Sequence, residues 1–424
     1  GNRFNYQAIK YIKFKQLKTM QTRNILKKQK SRHIAIIISS AFILTFMQLY
    51  NGYPYVFNND TAVYLSQAYQ EQVRPSRPMI YGLFMSYLSL GKSLWLVVVV
   101  QSLLVSYVIY CYFRYFLSKS TDLSWFIAFV AFITLFMSGS FYTGYLMPDV
   151  FAGIGLACLG LLLFAGKMKT RDLTAVSAIT VISLAMHNAY IYIFIILLGI
   201  VLLGYTDKTL REHYRKVGIG LKRVLLILLL VALGHVFSAT IHYFHGGEFK
   251  SSRGGAVFLM GNMVEMGIID TYLAENCDEK DLTLCQYRDQ IPNNFLWTPE
   301  SPIHKNGGWE GNKAEYTAIV KDVLTTPGYL MTFVYKSGVY TVKQFFNFNA
   351  GPIIGEQICI PTEYVKKTLA RYYPGEFSAF SNSRQNMGDL SFELLNYIQE
   401  LIVGICLFIY LMVLLFKKME VRYR

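Results

Sequence analysis

The chain has 424 residues, of which 53% are hydrophobic and only 16% charged, with a formal net charge of +15. That polar content is too low to cover a water-soluble fold of this size, so a polytopic membrane protein is expected. The positive charge does not imply a nucleic-acid partner, because Lys and Arg cluster in an N-terminal arm and in short links between apolar runs, the positive-inside pattern.

In chain order, the basic cytoplasmic arm, residues 1–32, comes first and carries Lys10, Lys13, Lys15, Lys18, Arg23, Lys27, Lys28, Lys30 and Arg32. Its segment IKYIKFKQLK alternates apolar and basic residues and is expected to lie on an anionic leaflet. The run HIAIIISSAFILTFMQLY, roughly 33–50, reads as a permanent first anchor, with no cleavable signal peptide. An outer loop with a short amphipathic helix follows, over 51–92. Further crossings are expected at about 93–117, 123–140, 149–166, 172–187, 189–204, 224–243 and 396–416. The basic links, such as YTDKTLREHYRKVGIGLKR, then all fall on one side, with both termini cytoplasmic. Residues 33–243 form the membrane module, and the polar block 244–395 is expected to fold outside as a small domain. Residues 396–424 supply the last crossing and a basic tail. The expected fold class is thus an all-α polytopic membrane protein of about eight transmembrane helices, with outer juxtamembrane helices and a small, mainly helical extracytoplasmic domain.

Four cysteines, Cys111, Cys158, Cys359 and Cys406, are scattered, whereas Cys277 and Cys285 lie close together in ENCDEKDLTLCQY. Inside an outer block that spacing suits a disulfide; a metal pair is disfavoured because it is not Cys-x-x-Cys and no His stands at finger-like distance.

Three polar residues fall at the outer ends of these crossings: Asp60 in YVFNNDTAVYLSQAY, Asp149 in GYLMPDVFAG, and His187 in SLAMHNAY. Each has an ordinary explanation. Asp60 can cap a helix, Asp149 can meet a helix dipole after Pro148, and His187 can sit at the interface. Together they point further, since ionisable groups at membrane depth are costly and usually functional. The two aspartates are expected to converge on one wet pocket beside the lipid.

An acidic first outer loop, then AVYLSQAY, then SRPMIYGLFMSYLSLG and a second crossing resembles the GT-C superfamily of polytopic glycosyltransferases. RPSRPMIYGLF, Arg74 to Phe84, is similar to the RPPxYP-like turn of that superfamily, and Pro148–Asp149 is similar to a PD pair that many members show. The likeness covers the first ~200 residues in pattern. It implies an inverting transfer of a sugar from a polyprenyl-phosphate donor to a lipid, glycan or protein acceptor, at the periplasmic face of a bacterial inner membrane. Asp60 would be the general base, and Asp149 would position the acceptor, hold Asp60, or share a divalent cation (Mg or Mn) with it.

The departing lipid phosphate needs positive partners. Candidates are Arg74, Arg77 and His187, then Lys250 and Arg253 in GGEFKSSRGGAVF, and Arg371 and Arg384. Arg suits phosphate through its planar fork, although interfacial Arg and Lys also serve lipid headgroups. SSRGGAVF suits either an anion-binding nest or an ordinary loop. The aromatic clusters NGYPYVF, SFYTGY and VKQFFNFNAGP fit a cleft lining or an interface belt. His242 and His245 lack a clear third metal ligand. Walker A, H-E-x-x-H and G-x-S-x-G are all missing. Competing classes are a glycan polymerase or ligase on polyprenyl diphosphate, using Arg and His with Asp60 dispensable; a lipid or glycan transporter, which needs a charge-lined midplane path; and a scaffold.

Overall fold

The structure is a computed structural model that describes residues 31–71, 73–117, 123–349 and 361–416. The N-terminal arm before residue 31, Cys359 and the tail after residue 416 lie outside the described residues. Among the described residues every regular element is a helix, and strand-like pairing is limited to one isolated bridge.

Helix α1, Ser31–Asn51, turns at Thr45, whose hydroxyl donates back to Phe42 O (2.7 Å). It stops at Gly52, where a φ of 83° closes the last turn as only glycine does without strain. The first outer loop carries α2, Asn58–Gln70, and α3, Ile80–Ser89. They pack tightly: a Cβ at Gly82 would run into Tyr64 O. Helix α4, Trp95–Phe116, is an apolar run whose first basic residue is Arg114 near its end. At 22 residues it is about 33 Å long, enough to cross a bilayer. Then come α5, Leu123–Phe136; α6, Val150–Phe164; α7, Thr170–Met186; α8, Asn188–Gly204; α9, Lys208–Lys216; and α10, Leu221–Phe244.

Helices α6, α7 and α10 form the centre of the bundle, α7 lying between the other two. Small residues permit the close approach: a Cβ on Gly234 of α10 would meet Leu184 Cβ at 2.8 Å, and one on Gly155 of α6 would meet Ser183 Cβ at 3.2 Å. At the end of the bundle where α4 stops and α7 begins, Asp172 is fully buried. Arg114 (3.3 Å) and Arg171 (3.2 Å) neutralise it, and the Tyr115 (2.7 Å) and Tyr107 (3.2 Å) hydroxyls donate to it. A buried carboxylate with four partners meets the condition for burying charge at tolerable cost.

Four helices among the described residues are long and apolar enough to span a membrane: α1, α4, α10 and α16, Glu393–Phe416. The number rises to six if two sharply bent helix pairs each count as one span. The expected third to sixth crossings are shorter helices of 14, 15, 17 and 17 residues, for identifiable reasons. Ser138, at φ 55°, ends the α5 segment, and His187, in extended backbone, separates α7 from α8.

The block after α10 divides between two cores. Helices α11, Gly255–Glu265; α12, Ile268–Asn276; α13, Lys313–Thr325; and the start of α14, Pro327–Phe345, enclose a separate core that includes Met260, Tyr272, Phe295, Tyr316 and Val323. The Cys277–Cys285 disulfide closes the loop that follows α12, in accord with the sequence reading. Residues 361–392, including α15, Glu363–Tyr372, instead pack back on the membrane module: Val365, Leu369, Tyr373 and Phe380 belong to its core. Two side chains hold this segment. Gln385 Nε2 donates to Val56 O (2.7 Å) and its Oε1 accepts from Val56 N (3.1 Å). Glu376 accepts from Ser93 Oγ (2.5 Å), Leu94 N (3.0 Å) and Tyr53 OH (3.1 Å), placing a carboxylate at the N-terminus of α4.

Candidate active site

The loop before α2 and the loop before α6 are about 90 residues apart in sequence, yet backbone bonds join them. Tyr55 N donates to Gly144 O (3.1 Å) and Leu146 N to Tyr55 O (2.9 Å), the isolated parallel bridge of the fold. The Thr61 hydroxyl adds a bond to Leu146 O (3.1 Å) and accepts one from Phe57 N (2.8 Å). Buried Gln101 of α4 holds the second loop, donating to Thr143 O (2.8 Å) and Tyr145 O (3.2 Å), and is itself oriented by the Tyr81 hydroxyl (2.8 Å). A glutamine buried in an apolar helix costs free energy unless satisfied, and here each of its polar atoms is used. Asp60 follows the first loop by one helical turn, and Asp149 follows the second at the start of α6.

Neither aspartate caps its helix. Phe57 occupies the cap position of α2, with Asp60 in the first turn; Asp149 stands at the cap position of α6 but makes no side-chain capping bond and is exposed. Asp60 is instead ion-paired to Arg77, with Oδ1 2.5 Å from a guanidinium nitrogen, at side-chain exposures of 19% and 11%. Burial pushes the Asp60 carboxyl above the usual carboxylate range; Arg77 pulls it back, and the charge of Asp149 adds to the rise. His187 lies within the same field: burial lowers its imidazole, Asp149 opposes, and Arg77 reinforces the lowering. Its ring stacks on Tyr190 (5.0 Å), whose hydroxyl donates to Pro148 O (3.3 Å), beside Asp149. Asp60, Arg77, Asp149 and His187 therefore form one electrostatic cluster built from three loops.

A fifth participant was not foreseen from the sequence. Arg77 also lies against two rings, Tyr64 (5.6 Å) and Trp297 (5.8 Å). Trp297 directly follows Phe295 and Leu296 of the second core, is itself half exposed, and leads to Trp309 (6.0 Å), which contacts Phe258 (4.8 Å). An aromatic wall thus adjoins the ion pair. The wet pocket expected between the two aspartates is not among the described cavities, neither of which is lined by Asp60 or Asp149; what adjoins Asp60 is Arg77, with the Tyr64 and Trp297 rings against its guanidinium.

Arg74 is exposed on the same turn as Arg77. Arg253 reaches Glu310 (3.6 Å) and donates to Val73 O (3.4 Å), while Ser252 Oγ donates to Pro75 O (3.1 Å). A Cβ at Gly254 would meet Pro75 O at 2.7 Å, so the glycine lets the SSRGG loop press onto the 73–77 turn. That loop clasps the turn that carries Arg77. Lys250 pairs with Glu248 (2.5 Å), Arg371 lies over Tyr372, and Arg384 donates to Tyr50 O (3.1 Å) over the Tyr50 ring; these three contact other parts of the molecule. His242 Nδ1 is 3.0 Å from Glu248 O, and among the described residues no group of three His, Cys, Asp or Glu side chains is arranged to hold a metal.

Comparison with protein-family models, with curated proteins and with solved structures returned no match.

Proposed function

We propose that this is a GT-C-type membrane glycosyltransferase of about eight crossings in a bacterial inner membrane, with both termini cytoplasmic and its site facing the periplasm. It moves a sugar from a polyprenyl-phosphate donor to a lipid, glycan or protein acceptor with inversion. The observation that carries this reading is the cluster itself: a carboxylate made more basic by burial, held by an arginine, with a second exposed carboxylate and a histidine in its field. Asp60 takes the proton of the acceptor hydroxyl as it attacks the anomeric carbon, and a base whose pKa lies nearer the working pH does this better. Arg77 exchanges partners: in the resting protein it neutralises Asp60, and when the donor arrives its fork turns to the phosphate oxygens, leaving Asp60 free as base and balancing the leaving-group charge. Asp149, exposed beside them, positions the acceptor. Trp297 and Trp309 offer ring faces to a sugar.

A divalent cation would compete with Arg77 for the Asp60 oxygens in the resting protein; once Arg77 turns to the donor, Asp60 and Asp149 are the residues that would hold such a cation, which would add counter-charge for the leaving phosphate. A polymerase or ligase acting on polyprenyl diphosphate remains the second reading, favoured by the presence of both Arg77 and His187 at the site. Lipid-linked sugar profiling in a deletion strain tests the proposal. Accumulation of one polyprenyl-monophosphate sugar is expected; an unchanged lipid-linked pool contradicts it, and accumulation of a diphosphate-linked oligosaccharide favours the second reading.

A further inference from the structure

The largest described cavity lies away from the aspartate cluster, where α4 and α6 end. It has a volume of about 540 Å³ and is lined by Tyr112, Phe116, Phe164, His213, Tyr214 and Val217 among others. That volume falls in the range of about 300–1,000 Å³ typical of ligand sites. Its wall is mostly apolar and aromatic, and Phe164 is exposed beside it.

The cover of the cavity is distinctive. Helix α8 stops at Gly204, and α9 leaves at 112° to it, so that if α8 crosses the bilayer α9 lies near the membrane plane. Helix α9 has the sequence KTLREHYRK, with Lys208, Arg211, Arg215, Lys216 and His213 against one acid, Glu212. Asp207 caps it, accepting from Leu210 N (2.8 Å). The helix is fixed on the bundle rather than loose. The Tyr214 ring sits against Gly204, where a Cβ would collide with it, and the Tyr205 hydroxyl donates to Ile219 O. Arg223 donates to Leu163 O (3.0 Å) and Gly166 O, satisfying carbonyls at the end of α6. His213, Arg215 and Lys216 are exposed, and among the described residues none of them is in an ion pair with an acidic side chain.

A greasy cavity under a basic, in-plane helix is complementary to one kind of molecule: an acyl chain attached to an anionic headgroup. We propose that this cavity binds one anionic diacyl phospholipid of the adjacent leaflet, with a chain between α4 and α6 and the headgroup phosphate against His213, Arg215 and Lys216. Lys and Arg near an anionic surface attract it, and the chain adds apolar burial that a surface patch alone lacks. The inference is independent of the reaction assigned to the other end of the molecule.

Native mass spectrometry of the full-length protein in detergent tests this, titrated with phosphatidylglycerol or with phosphatidylcholine of the same chains. The expected result is one retained phosphatidylglycerol, at least about fivefold more occupied than phosphatidylcholine. A triple variant, His213→Gln, Arg215→Gln, Lys216→Gln, changes only exposed groups and is expected to abolish that preference. Val217→Trp, which fills the cavity and keeps the charges, is expected to expel the lipid while circular dichroism retains the helix content. Equal retention of the two lipids overturns the proposal, as does a triple variant that still prefers phosphatidylglycerol. Undiminished binding by a folded Val217→Trp protein also overturns it, since the headgroup would then be held at the surface alone.

Discussion

At the scale of single residues, Asp60 and Arg77 carry the account, and each has a separable signature. Asp60→Asn keeps an acceptor oxygen for Arg77, so the fold is expected to survive while transfer falls by about 10²–10⁴-fold, the usual weight of a general base. Since the base acts when ionised, activity is expected to rise with pH through the Asp60 pKa. Burial lifts that pKa and Arg77 lowers it. Removing the guanidinium in Arg77→Gln leaves burial unopposed, so the acid limb of the kcat/KM profile is expected to move to higher pH; a limb that stays in place or moves down would show that another group sets it. Trp297→Ala is expected to raise KM by roughly 2- to 12-fold with kcat retained, the worth of one aromatic contact of about 0.5–1.5 kcal/mol. Asp60, Arg77, Asp149 and His187 were legible in the sequence because charged residues are rare in this chain and stand at the ends of apolar runs. Trp297 was not: 220 positions beyond Arg77, its role depends on how the second core folds back, and one tryptophan in a polar block has no pattern around it.

At the scale of elements, the site depends on backbone pairing between loops. The Tyr55–Tyr145 bridge and the Gln101 amide set where Asp60 and Asp149 start their helices, and both are invisible to hydrophobic periodicity, which reads side-chain spacing and not loop-to-loop bonds. Glu376 does comparable work for the returning segment, tying residues 374–376 to the start of α4 through bonds from Ser93 and Leu94 and to the first outer loop through one from Tyr53. Glu376→Ala leaves those donors unpaired and is expected to destabilise the protein by about 2–3 kcal/mol, as for a charged hydrogen-bonding group; thermal unfolding in detergent reads this out, and Glu376→Gln should recover part of the loss. The long apolar helices were readable at both ends because uninterrupted runs bounded by charge leave little choice. The expected third to sixth crossings were harder, since Ser138 in left-handed backbone and His187 in extended backbone break runs whose composition alone suggests continuity.

At the scale of the whole molecule, two cores meet at the candidate site. The membrane module supplies Asp60, Arg77, Asp149 and His187, and the segments flanking the core around Tyr272 and Tyr316 supply Trp297 and the Arg253 loop that clasps the Arg77 turn. Composition announced the polar block but not its division, because residues 361–392 are as polar as residues 255–325 and only their packing separates them. The opposite end of the bundle carries the buried Asp172 network and the basic helix α9, away from Asp60 and Asp149. The most direct test of the central claim, that Asp60 is the base of a lipid-linked sugar transfer, uses the deletion strain complemented with wild-type protein, with Asp60→Asn, or with Asp149→Asn, each at matched membrane abundance. Wild-type protein is expected to clear the accumulated polyprenyl-phosphate sugar, Asp60→Asn to leave it in place, and Asp149→Asn to clear it partially; full clearance by Asp60→Asn would contradict the account.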